Sequence, residues 1–106
     1  MATNRLAQIA AFLEESPNDP FLIFALAKEH EKLGDEEKAL HYYTVLVEKH
    51  TDYVGTYYHL GKLHERSENF EAALAVYQKG VNVAKQAGDQ HALSELMGAK
   101  WELEED

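Results

Sequence analysis

The chain has 106 residues, 10 Lys and Arg against 19 Asp and Glu for a net charge of −9, and no cysteine. That length fits one domain. The missing thiols exclude disulfides, zinc–thiolate sites and cysteine nucleophiles, and the negative field disfavours nucleic acid and anionic membranes as partners.

In chain order the predicted elements are six helices. Leu6, Ile9, Phe12 and Leu13 recur at helical spacing and predict a helix over 3–16, with Thr3 as its cap and Pro17 as its stop. Asp19-Pro20 opens the second: Asp19 accepts orphan amides, and Pro20 sits where a missing N–H costs nothing. It runs to Leu33, where Gly34 supplies a left-handed stop. Asp35 caps the third, with Glu36 and Glu37 at its positive end and an apolar stripe of Ala39, Leu40, Tyr43, Leu46 and Val47. Thr51-Asp52 is the expected cap of a fourth helix through Arg66, and Asn69 that of a fifth from Phe70 to about Gln86. Gly88-Asp89 stops that helix and caps a sixth, ending near Leu103. Loops of two to five residues imply antiparallel neighbours.

Gly98, inside the sixth helix, is expected to mark the close approach of a neighbouring backbone. Trp101, grouped with Leu93, Leu96 and Met97, is expected to plug the core, with an interface role as the alternative. No apolar run nears the ~20 residues of a membrane span, and the amphipathic start, at a Met, is unlike a signal peptide. A complete, soluble cytoplasmic protein is the expectation.

Residues 20–53 laid on 54–87 agree at nine of 34 positions: Leu26/Leu60, Lys28/Lys62, His30/His64, Glu31/Glu65, Glu37/Glu71, Ala39/Ala73, Leu40/Leu74, Tyr43/Tyr77 and Val47/Val81. A helix–turn–helix unit of this period resembles the tetratricopeptide repeat. The family's W-x2-L-G-x2-Y…A-x3-F is matched in part by Ile23-x2-Leu26-Ala27-x2-His30…Ala39-x3-Tyr43. Tyr57-x2-Leu60-Gly61-x2-His64…Ala73-x3-Tyr77 comes closer. Small residues at Ala27, Gly61, Ala39 and Ala73 let paired helices approach. Histidine replaces the pattern's tyrosine, and the closing proline gives way to Thr51 and Lys85. Ile9 and Pro17 keep the aromatic-to-proline spacing, so the first helix looks like the second half of a repeat, and the last like a first-type capping helix. The resemblance implies an all-α, right-handed α-solenoid in a single domain: helix 3–16, repeats 19–52 and 53–87, and capping helix 89–103.

Catalytic chemistry has no foothold. His30-Glu31 and His64-Glu65 begin like H-E-x-x-H, but Gly34 and Glu68 stand where the second histidine belongs. Ser16, Ser67 and Ser94 lack a nucleophile motif, and the carboxylates lie in surface runs. No enzyme activity, metal or cofactor is expected. The resemblance implies instead a concave groove lined by the first helix of each pair. Its positions fall on Phe24, Lys28 and Lys32, on Tyr58, His59, Lys62 and Arg66, and on Leu96, Ala99 and Lys100 of the last helix. Five of the ten basic residues thus map to one wall. Lys28/Lys32 and Lys62/Arg66 are like charges one turn apart, a cost of roughly 0.2–0.5 kcal/mol per pair, for which a bound anion is one candidate offset. An aromatic one turn before a lysine suits an extended acidic or C-terminal peptide. A non-catalytic peptide-binding adaptor is therefore the expectation. Self-association through the terminal helices, as a homodimer or larger scaffold, is the alternative.

Overall fold

The computed structural model describes the backbone of residues 2–105 and the side chains of 4–105; Thr3, expected as a cap, stands inside the first helix, which begins at Ala2. The described residues form α1 (Ala2–Glu15), α2 (Pro20–Lys32), α3 (Glu36–Lys49), α4 (Gly55–Arg66), α5 (Phe70–Ala87) and α6 (Gln90–Glu104), with no strand among them. The all-α reading holds, and the connections span two to five residues as expected.

Capping explains most boundaries. Asp19 accepts from Phe21 N at 2.9 Å, Asp35 from Lys38 N at 3.2 Å and Asp89 from Ala92 N at 3.0 Å. Gly34 and Gly88 take the left-handed conformation at φ +83° and +70°. Two expected caps fail. Thr51-Asp52 forms a turn, and α4 begins only at Gly55, behind Val54 and without a side-chain cap. Asn69 stands at the expected N-cap of α5 but makes no capping bond. The α4–α5 turn closes through its backbone, with Asn69 N donating to His64 O at 2.8 Å, as Asp35 N donates to His30 O at 2.9 Å in the α2–α3 turn. Glu68 occupies the left-handed place of Gly34, at φ +59°, which is costly for a residue with a Cβ.

The chain divides into two compact units, residues 1–50 and 51–106, each pairing one full hairpin with one flanking helix. In the first, α2 packs on α3 and α1 on α2. Its core holds Ile9, Ile23, Leu26, Ala27, Ala39, Tyr43 and Leu46. In the second, α5 packs between α4 and α6 around Tyr57, Leu60, Tyr77, Val81, Ala84 and Leu96. Gly61 acts as expected, since a Cβ there would overlap the Tyr77 ring; Gly80 makes a further close approach, where a Cβ would lie 2.5 Å from Tyr57 Cβ.

Glu29 is buried in α2 at 3% exposure, where the second repeat has the core residue Leu63. Its Oε1 pairs with Arg5 Nε of α1 at 3.2 Å, while Oε2 is buried without a partner. A half-satisfied buried carboxylate is worse than an apolar side chain of similar volume. Glu29→Leu is expected to raise stability by about 1–4 kcal/mol. Urea unfolding followed by circular dichroism checks this, and a lowered midpoint would show that the pair is net stabilising.

Candidate functional site

The two hairpins share one polar clasp. Tyr43 donates its hydroxyl proton to Glu31 Oε1 at 2.7 Å, and Tyr77 donates its own to Glu65 Oε2. Both rings are fully buried. Burial and the adjoining Glu65 carboxylate push the Tyr77 pKa far above the ordinary phenol range, so the hydroxyl remains a donor. Sequence reasoning missed this clasp. The signal was present: all four residues are among the nine repeated positions, twelve apart in each repeat.

The α4 face carries the best-ordered part of the expected site. Lys62 Nζ stands 5.5 Å from the Tyr58 ring centroid and 3.7 Å from Glu65 Oε2. Tyr58 meets His59 edge-on at 5.8 Å between centroids. Arg66 is exposed in the last turn. Glu65 Oε2 thus takes both the Tyr77 hydroxyl and the Lys62 ammonium, and the ammonium also lies over the Tyr58 ring. On α2, Phe24 tilts against Tyr43 at 6.1 Å, and Lys28 and Lys32 are exposed one turn apart. Lys100 on α6 pairs with Glu104 at 3.7 Å.

Three α6 expectations are corrected. Leu96 and Ala99, mapped to the groove wall, are buried at 1% and 6%. The reason is α5, against which α6 packs: Leu96 Cδ1 lies 3.1 Å from where a Cβ on Gly80 would stand. Trp101 does not plug the core: it is 59% exposed. Five residues at about 100° each set it roughly 140° around the helix from Leu96. Gly98 receives no neighbouring backbone, and a Cβ there would meet nothing within 4 Å.

Two histidines sit in packed surroundings. His30 stacks on Tyr42 at 5.7 Å, and burial lowers the pKa of His64. Tyr57 donates to the Thr51 carbonyl at 2.6 Å, its pKa raised by burial and then by the charge of Asp52. No metal-holding group of three or more His, Asp or Glu side chains occurs among the described residues. No helix among them is long and apolar enough to cross a membrane.

Repeated helical hairpins with side chains poised on an exposed helix face define a class of protein that presents a surface to other polypeptides. The family model described as tetratricopeptide repeat matches residues 54–86. The crystal structure of a tetratricopeptide repeat domain protein from Salinibacter ruber aligns with a TM-score of 0.79 and 48% identity, covering 82% of this chain and 97% of that one. The solution NMR structure of a tetratricopeptide repeat domain protein from the same organism gives 0.80 and 49%, covering 83% and 89%. No curated protein matches the sequence. The chain belongs to the tetratricopeptide repeat family, whose repeats generally mediate protein–protein interaction and which is typically non-catalytic.

Proposed function

We propose that the chain is a non-catalytic adaptor that captures an extended acidic or C-terminal segment of another protein on the exposed faces of its first-type helices. The observation that carries this reading is the Tyr58–Lys62 pair: a partly exposed ammonium over a ring, beside the Glu65 carboxylate. Arg66 lies one turn further along α4, and Phe24, Lys28 and Lys32 repeat the same order on α2. An extended ligand would set an apolar side chain against the ring and its carboxylates against the cations.

The double reversal Lys62→Glu/Arg66→Glu is expected to weaken capture of a synthetic peptide with an acidic C-terminal tail at least tenfold. The melting temperature should move little, because the Lys62–Glu65 pair is partly solvated and such pairs contribute about 1 kcal/mol. Fluorescence anisotropy with the labelled peptide reads the first, and thermal circular dichroism the second. Unchanged capture by the variant would remove the cationic face from the mechanism.

A further inference from the structure

The exposed side of α6 repeats the hairpin-facing pattern of the two first-type helices. Leu26-Ala27-x2-His30-Glu31 and Leu60-Gly61-x2-His64-Glu65 recur as Met97-Gly98-x2-Trp101-Glu102. In α4 this face is covered by α5: the Tyr77 ring seats on Gly61, and its hydroxyl reaches Glu65. On α6 the corresponding face is bare, with open space over Gly98 and an exposed Trp101.

The complementary half is α1. Its span, Ala2–Glu15, lies 34 residues before Glu36–Lys49, which makes it a second-type helix by position. Phe12 holds the register of Leu46, which is fully buried in α3, yet Phe12 is 59% exposed. We propose that α6 of one molecule takes α1 of a second copy as the missing helix of a hairpin, joining copies head to tail. This does not rest on the peptide-binding reading.

Size and charge both favour that occupant. In the α4–α5 hairpin, small Gly80 faces large Tyr57. The matching pair is inverted, with large Phe12 facing small Ser94. An antiparallel hairpin sets the start of α1 beside the end of α6. Arg5 then meets Glu102, Glu105 and the face of Trp101. At the other end, Glu14 and Glu15 meet the positive end of the α6 dipole, beside the capping carboxylate of Asp89. The side-chain charges are complementary at the Arg5 end. Arg5 is already anchored through Nε to Glu29, and its side chain is 64% exposed, within reach of the rim. The contact is heterologous, so it extends into chains or closes into rings rather than stopping at a two-fold dimer.

The test uses the full chain and two variants at positions outside the core, Phe12→Glu and Gly98→Leu. Circular dichroism melts confirm that each folds. Sedimentation velocity across a concentration series to the millimolar range is expected to show the unaltered protein growing into dimers and larger species. Emission of Trp101, the sole tryptophan, shifts to the blue in step. Each variant alone should associate at least tenfold more weakly. Their equimolar mixture should form a dimer and go no further, because one partner keeps α6 intact and the other keeps α1. A monomeric unaltered protein at every concentration overturns the proposal. So does undiminished association of F12E, which would mean that α6 pairs with itself, or a mixture that stays monomeric.

Discussion

Gly61→Ala is expected to lower stability by about 2–3 kcal/mol, whereas the same change at Gly98 raises it by about 1 kcal/mol. Both glycines lie inside helices and in the same local pattern, so helix propensity favours alanine equally at the two sites. Their surroundings decide the sign. A Cβ on Gly61 overlaps the Tyr77 ring, and that ring has no easy retreat, being fully buried and tied by its hydroxyl to Glu65. Relief requires α4 and α5 to separate, at the expense of packing along both helices. At Gly98 the new methyl meets nothing. Urea midpoints of the two variants, measured side by side at low protein concentration, give the comparison. Equal shifts of the same sign would mean that Tyr77 moves freely and that the close approach does not govern the hairpin.

Tyr77→Ala should cost about 3–5 kcal/mol, the usual range for emptying an aromatic site in a core. The loss combines ring burial, the filled space above Gly61 and the hydroxyl bond to Glu65. Tyr77→Phe isolates the last of these. It keeps the ring and removes one hydrogen bond to a charged acceptor, an expected loss of about 1–3 kcal/mol. Tyr43→Phe should fall in the same range, since Tyr43 makes the same bond to Glu31. A double-mutant cycle between Tyr77→Phe and Glu65→Gln measures the coupling directly. Additive losses would show that the two groups share a neighbourhood but no clasp.

The hairpins were readable because their determinants are local or repeated. Asp19-Pro20, Gly34-Asp35 and Gly88-Asp89 each state a boundary in two residues. The nine repeated positions contain both the packing pair Ala39/Ala73 and the clasp residues. What escaped depends on the surroundings. Thr51 and Asp52 have capping chemistry, but Tyr57 draws the Thr51 carbonyl into a turn, so α4 starts later. Glu29 reads as a surface residue by composition, and only the neighbouring α1 shows it buried against Arg5. The resemblance put Tyr58 and Lys62 on one helix face, and they stand together on α4. It also put Leu96 and Ala99 on a groove wall, which misses the packing of α6 on α5 that buries them.

The extra turn of α5 has a consequence for the array as a whole. The local pattern of α4 recurs in α6 after 37 residues rather than 34, a phase slip of three positions. The family model's match ends at residue 86, one residue before α5 does. Any attempt to lengthen this array by duplication must therefore cut after α5 and count from α6. A graft spaced by the nominal period would rotate every added helix by about 60° and turn its apolar stripe away from the neighbour it is meant to cover.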